Sequence, residues 1–126
     1  MVKIYENRKN HRKIFSNCPL PSKSGDYLYF LRVGNPDERV FKIGTTNRPL
    51  ERLQEHMRAY GADLEVLWFS PAYEWLTTLR IERRQKDYWI QNMNWEYIKN
   101  DRFIIPPDVK EITIKVRKEY HISLEV

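Results

Sequence analysis

Arg52 and His56 stand four residues apart in "TTNRPLERLQEHMRAYG", so any helix formed there carries both on one face. Arg offers a planar fork suited to phosphate oxygens, and His offers a ring nitrogen that exchanges a proton near neutral pH. Upstream, Tyr29 in "YLYFLRV" and Lys42 in "RVFKIG" fall on two neighbouring extended segments, where a phenol and an amine can meet the same phosphate. Phosphodiester hydrolysis needs a deprotonated nucleophile, a cation for the developing charge and a fixed scissile phosphate. Lys42 acts as a base only if its pKa falls from about 10.4, through burial or a neighbouring cation such as Arg52. Plainer readings stand beside these: a solvated cationic face for Arg52 and His56, a core aromatic for Tyr29, an edge-strand charge for Lys42.

The elements that must position these groups follow from pattern. Residues 27–33 suit a buried strand, "GNPDE" at 34–38 supplies turn residues, and 39–44 reads as the returning strand, so 27–44 is expected as a β-hairpin. The period then changes. Leu50, Leu53, Met57 and Tyr60 recur at helical spacing, with Thr46 or Asn47 as cap, Pro49 in the first turn and Gly61 just past the end. The Arg52–His56 face is offset from the Leu53/Met57 stripe and is expected to border the sheet without burial. "LEVLWFS" (64–70) reads as a third strand, ended by Pro71. "YEWLTTLRIERRQKDYWIQN" (73–92) reads as a second helix, one stripe of which is Trp75, Leu79, Glu82, Lys86 and Trp89. "RFII" (102–105) and "EITIKVRKEYHISLEV" (111–126) alternate like strands around a "PPD" break. The order β-β-α-β-α plus C-terminal strands makes a small α+β domain over 25–126. Residues 1–24 form a basic arm, laid over the domain or left as a mobile tail.

Composition narrows the partners. The 126 residues fit one domain, with 41% hydrophobic and 31% charged residues, ordinary for a globular protein. Lys and Arg number 22 against 17 acidic residues, a net charge of +5 that favours polyanions, nucleic acid first. Cys18 is the only cysteine, which excludes an intramolecular disulfide and a thiolate zinc cluster. No apolar run approaches the roughly 20 residues that cross a bilayer, and the N-terminus lacks a secretory apolar core. The expectation is an intracellular protein with no membrane partner.

In this order the motifs resemble the GIY-YIG nuclease superfamily. "YLY" at 27–29 stands where GIY is expected, with Tyr29 as the family tyrosine, and "KIG" at 42–44 stands for YIG. Lys42 replaces the second tyrosine, as in a phage-associated branch of the superfamily and some of its restriction enzymes. Arg52 follows Lys42 by ten residues and His56 by four more, which matches the family helix, and the likeness covers roughly residues 25 to 105. The resemblance implies a central three-stranded antiparallel sheet flanked by helices and a metal-dependent DNA endonuclease using Mg²⁺ or Mn²⁺. It implies Tyr29 and Lys42 positioning or activating water, Arg52 stabilising phosphate charge, and His56 assisting with a proton or phosphate contact. Gly44, Thr45 and Arg48 are the expected substrate contacts. Glu82 is the expected metal ligand, with Glu74 and Asp87 as alternatives. In well-known members that glutamate falls at the place of Lys86, one turn later, and Lys86 also suits a plain i,i+4 bridge to Glu82. A family asparagine corresponds to Asn92, Asn94 or Asn100. The other reading is a degenerate scaffold that binds DNA or protein without chemistry. With no zinc finger or helix-turn-helix in the chain, low intrinsic sequence specificity, a preference for DNA shape, or a targeting protein partner is expected.

Overall fold

A computed structural model describes residues 3–6, 11–71, 73 and 75–126, without the side chains of Lys3 and Trp75. Strands β1 (Lys3–Glu6) and β2 (Lys13–Ser16) precede a hairpin of β3 (Tyr27–Val33) and β4 (Val40–Thr46). Helix α1 (Pro49–Tyr60), strand β5 (Leu64–Phe69) and helix α2 (Trp75–Gln91) follow. Strands β6 (Glu96–Ile98), β7 (Arg102–Ile104), β8 (Glu111–Arg117) and β9 (Tyr120–Glu125) complete the chain. The hairpin, both helices and the third strand of the motif region lie where periodicity placed them.

The sheet is larger than expected. Seven strands run in the order β1-β2-β5-β3-β4-β7-β6, and β8-β9 form a separate two-stranded sheet. The expected three-stranded antiparallel centre is therefore corrected to a mixed α/β architecture in which β2 pairs parallel with β5. The added strands are only three or four residues long, too short to show a period of two before their partners are known. The segment expected as an arm thus lies over the domain in part as β1 and β2, and Ile14 is fully buried there. Of its basic residues, Arg8 and Lys9 fall outside the described residues.

Strand alternation divides the core in two. Tyr29, Leu31, Val33 and Val40 join Leu53 and Met57 of α1. Leu28, Phe30, Phe41 and Ile43 join Ile81 and Trp89 of α2, with Ile112, Ile114 and Val116 of β8. The β8–β9 hairpin is therefore part of the core and no appendage. Trp89 is buried and Trp68 half-buried, both against this second core.

Helix α1 starts differently from expectation. Arg48 is the N-cap and makes no side-chain cap bond, while Thr46 Oγ1 accepts the Arg48 N–H at 2.9 Å. Pro49 takes the first helical position, where its missing N–H costs nothing. Gly61 ends the helix at φ 59, the left-handed conformation that glycine adopts without strain.

Arg39 ties the two layers together. It follows the turn Pro36–Glu38 at φ 57 and donates to Ile105 O (3.1 Å), Val126 O (3.1 Å), Pro106 O (2.9 Å) and Val109 O (2.6 Å). Charge-assisted bonds of this kind are worth about 1.5–3 kcal/mol each and do not add, so Arg39→Ala is expected to cost about 2–4 kcal/mol. Urea unfolding checks this, and an unchanged midpoint would contradict it.

Candidate active site

The hairpin register brings the first two groups together. Tyr29 pairs with Gly44 and Leu31 with Lys42, so Tyr29 and Lys42 sit diagonally on the sheet face that α1 covers. Gly44 is what makes room. A Cβ there would overlap the Tyr29 ring and hydroxyl. From α1, His56 Nε2 meets the Tyr29 hydroxyl at 2.7 Å, and the two rings lie 5.9 Å apart. Tyr60, one turn on, stacks on His56 at 5.5 Å. His56 is buried, against the expectation for that face, while Arg52 is half-exposed beside Glu55 at 3.7 Å. Position explains the split: His56 lies about 60° from Leu53 around the helix, inside an apolar arc wider than about 100°, whereas Arg52 lies outside it.

Helix α2 and the β6–β7 turn close the other side. The buried face of α2 carries Thr78, Ile81, Glu82, Gln85 and Trp89; of the expected stripe, Glu82 and Trp89 are buried, while Leu79 and Lys86 are half-buried. Lys86 Nζ lies 3.7 Å from Glu82 Oε1 and 2.9 Å from Asp101 Oδ1. Tyr97 donates its hydroxyl to Asp101 Oδ1 at 3.1 Å. Lys42 Nζ donates to the backbone carbonyl of Asn100 at 2.6 Å. Asn100 and Asp101 both have positive φ, 65 and 59, which suits the short polar side chains that tolerate the left-handed region. Arg102 lies over the Tyr60 ring at 4.5 Å.

Tyr29 is 2% exposed, Lys42 6%, Glu82 8% and His56 9%, and this burial dominates their protonation. It raises the Tyr29 phenol, which Arg52 draws back only in part. It lowers Lys42, assisted by Lys86 and Arg102, while Asp101 and Glu82 pull the other way. The expected depression is present, with burial and these two cations as its causes in place of Arg52. Burial raises Glu82 against the opposing pull of Lys86. His56 falls to about 3 through burial, then Lys42, then Arg52. Asp101 goes down, because its bond to Lys86 and the charges of Lys86 and Lys42 outweigh burial. These mutual influences place Tyr29, Lys42, Arg52, His56 and Glu82 in one electrostatic group.

The His56 shift has a stability consequence. Between about pH 3 and 6.5 the unfolded chain binds the proton that folded His56 refuses. Its contribution is therefore complete above pH 6.5 and is lost as pH falls toward 3. Glu82 partly offsets this, because a raised carboxyl pKa gives stability that declines as pH rises through it. Moving from pH 7 to 5 is expected to remove about 2 kcal/mol through His56, and His56→Asn should flatten that slope. Urea unfolding at both pH values checks it; equal slopes in the two proteins would contradict it.

The other expected residues differ in burial and position. Gly44 is buried under Tyr29, Thr45 is half-buried, and Arg48 is exposed and paired with Glu51 at 2.9 Å. Asp87 is exposed on α2, and Glu74 lies outside the described residues. Asn92 and Asn94 are exposed, whereas Asn100 reaches the group through its carbonyl. The sequence marks Tyr60 only as part of the α1 apolar stripe, and it does not mark Asp101, Tyr97 and Arg102. For these three the signal is the "ND" turn between two short alternating segments, 96–98 and 102–104.

A divalent cation has a fitting ligand here. Mg²⁺ takes oxygen donors, commonly one or two carboxylates with water and substrate phosphates completing its shell. Glu82 supplies one such carboxylate beside the Tyr29–Lys42 group. Among the described residues no cluster of three His, Cys, Asp or Glu side chains assembles, so phosphate and water would supply the remaining ligands. Comparison with protein-family models, curated proteins and solved structures gives no match.

Proposed function

We propose that this group hydrolyses phosphodiester bonds of DNA with Mg²⁺ or Mn²⁺, as a GIY-YIG-type endonuclease. The observation that carries the reading is the convergence of a hydrogen-bonded Tyr29–His56 pair with Lys42, Arg52 and Glu82 from four separate elements. Structural roles for each residue singly do not require that convergence.

The chemistry follows from the protonation states. A neutral His56 accepts a hydrogen bond from the Tyr29 phenol at Nε2, leaving a phenol lone pair free to take a hydrogen bond from an attacking water. As water attacks phosphorus, its proton passes to Tyr29 and the phenol proton passes to His56. Charging a buried His56 beside two cations is costly; phosphate arriving at Lys42 and Arg52 offsets that cost. Arg52, half-exposed, presents its fork to the phosphate oxygens. Lys42, its ammonium destabilised by burial, would return a proton to the leaving sugar oxygen. Glu82 would hold the cation, which supplies charge neutralisation at the phosphate when bound.

DNA as substrate is supported by charge and shape. An open groove of about 620 Å³ along α2 includes Glu82 and Asp87 and sets the four cations Arg80, Arg83, Arg84 and Lys86 beside an apolar wall of Leu76 and Leu79. A second cavity of about 370 Å³, between α2 and the β8–β9 hairpin, holds Arg84, Tyr88, Lys115 and His121. Together they form a cationic path suited to a phosphate backbone. No helix among the described residues is long and apolar enough to cross a membrane. Low intrinsic sequence specificity, with preference for a branched or flapped DNA or recruitment by a targeting protein, completes the proposal.

One observation favours a second reading, a binding scaffold without chemistry. Glu82 already has a positive partner in Lys86, 3.7 Å from its Oε1, which offsets its charge without a metal ion. Competition between a random-sequence duplex and branched DNA of equal length, scored for both binding and cleavage, tests the choice. Cleavage with branched DNA preferred supports the nuclease; binding without cleavage on either supports the scaffold. Cutting at single sequence-defined sites would overturn the low specificity.

A further inference from the structure

We propose that Asp101 is a positioning residue of this site: by holding Lys86 it keeps the lysine off the Glu82 carboxylate and leaves that carboxylate open to a divalent cation. The inference rests on the metal-dependent reading above and assigns roles to Asp101 and Lys86.

The geometry is asymmetric. Lys86 Nζ lies 2.9 Å from Asp101 Oδ1, a hydrogen bond, but 3.7 Å from Glu82 Oε1, an ion pair without one. Glu82 and Lys86 are one helical turn apart, a spacing at which a free lysine closes on its glutamate. Here Lys86 reaches both carboxylates, and Asp101, from outside the helix, takes the shorter contact while Glu82 keeps the longer one. Asp101 is itself braced: Tyr97 Oη donates to its carboxylate at 3.1 Å and accepts its N–H at 3.3 Å. The turn that carries it runs through two consecutive left-handed residues, Asn100 and Asp101. The same turn takes Lys42 on the Asn100 carbonyl at 2.6 Å. One three-residue turn thus restrains both lysines of the site, Lys42 through its backbone and Lys86 through its side chain.

If Asp101 no longer holds it, Lys86 settles on Glu82 and competes with the cation. Asp101→Asn is therefore expected to weaken divalent-ion binding by roughly tenfold, the scale seen when a group that orients a metal ligand is lost. Asp101→Glu should retain most of the affinity. The double variant Asp101→Asn with Lys86→Met should recover it, because the competitor is gone. A merely structural role for Asp101 would not be rescued by removing Lys86.

The experiment is Mn²⁺ titration of the whole chain by EPR, with thermal unfolding of each variant as a check on folding. Wild type, Glu82→Gln, Asp101→Asn, Asp101→Glu and the double variant are compared. Binding weakened in Asp101→Asn and restored in the double variant is the expected result. Unchanged binding in Asp101→Asn, or a double variant as weak as the single, overturns the inference while wild-type binding lost in Glu82→Gln leaves the metal reading standing. Absence of Mn²⁺ binding in wild type overturns both.

Discussion

Glu82→Ala is expected to reduce metal-dependent DNA cleavage by about a thousandfold or more while leaving DNA affinity within about threefold. The size follows from what is removed: the one carboxylate of the group proposed to hold the cation. The fold should survive the change. Glu82 is buried and its ionised form disfavoured, so its loss relieves a desolvation cost. Lys86 keeps Asp101 as its closer partner. Binding should persist because the change leaves Arg80, Arg83, Arg84 and Lys86 of the groove along α2 in place. Single-turnover cleavage and a mobility-shift titration on the same DNA check both halves. Cleavage that survives Glu82→Ala would move the ligand to Asp87 or Glu74.

The second large effect concerns no charged group. Gly44→Ala is expected to destabilise the protein by about 3 kcal/mol and to break the Tyr29–His56 pair with it. The new Cβ would overlap the Tyr29 hydroxyl and ring across the hairpin. Tyr29 has nowhere to go: it is buried, bonded to His56 and packed on Phe69 with centroids 5.6 Å apart. Shortening the tyrosine should relieve the overlap, so Gly44→Ala with Tyr29→Leu is expected to melt above Gly44→Ala alone. A Gly44→Ala protein with wild-type melting would contradict the geometry. The glycine of "KIG" thus has a steric reason, clearance for the tyrosine opposite.

What the sequence revealed depended on how long each pattern ran. Seven-residue strands flanking "GNPDE", and helices of 12 and 17 residues with apolar stripes, were legible because several periods repeat within each. Strands of three and four residues at the sheet edges were not, because pairing partners far along the chain define them. Tyr29, Lys42, Arg52, His56 and Glu82 were legible as types and spacings. Their environment was less so: in the sequence Leu53 and Met57 mark a narrow apolar line, and His56 falls beside it. The actual arc is wide enough to include His56. Asp101 went unseen because its contacts depend on a turn whose two left-handed residues cannot be read from "ND" alone. The contact of Lys86 with Glu82 was legible, and the third member of that bridge was not.

The most direct test is nicking of supercoiled plasmid by the purified chain, with Mg²⁺ or Mn²⁺ and with chelator, beside Arg52→Ala. Arg52 is half-exposed and outside both cores, so its removal should leave the fold intact and act on the phosphate alone. The expected result is metal-dependent conversion to open circle by wild type, none with chelator, and about a hundredfold less with Arg52→Ala. No nicking by wild type under any metal, or equal nicking by Arg52→Ala, would contradict a hydrolytic centre built on these residues.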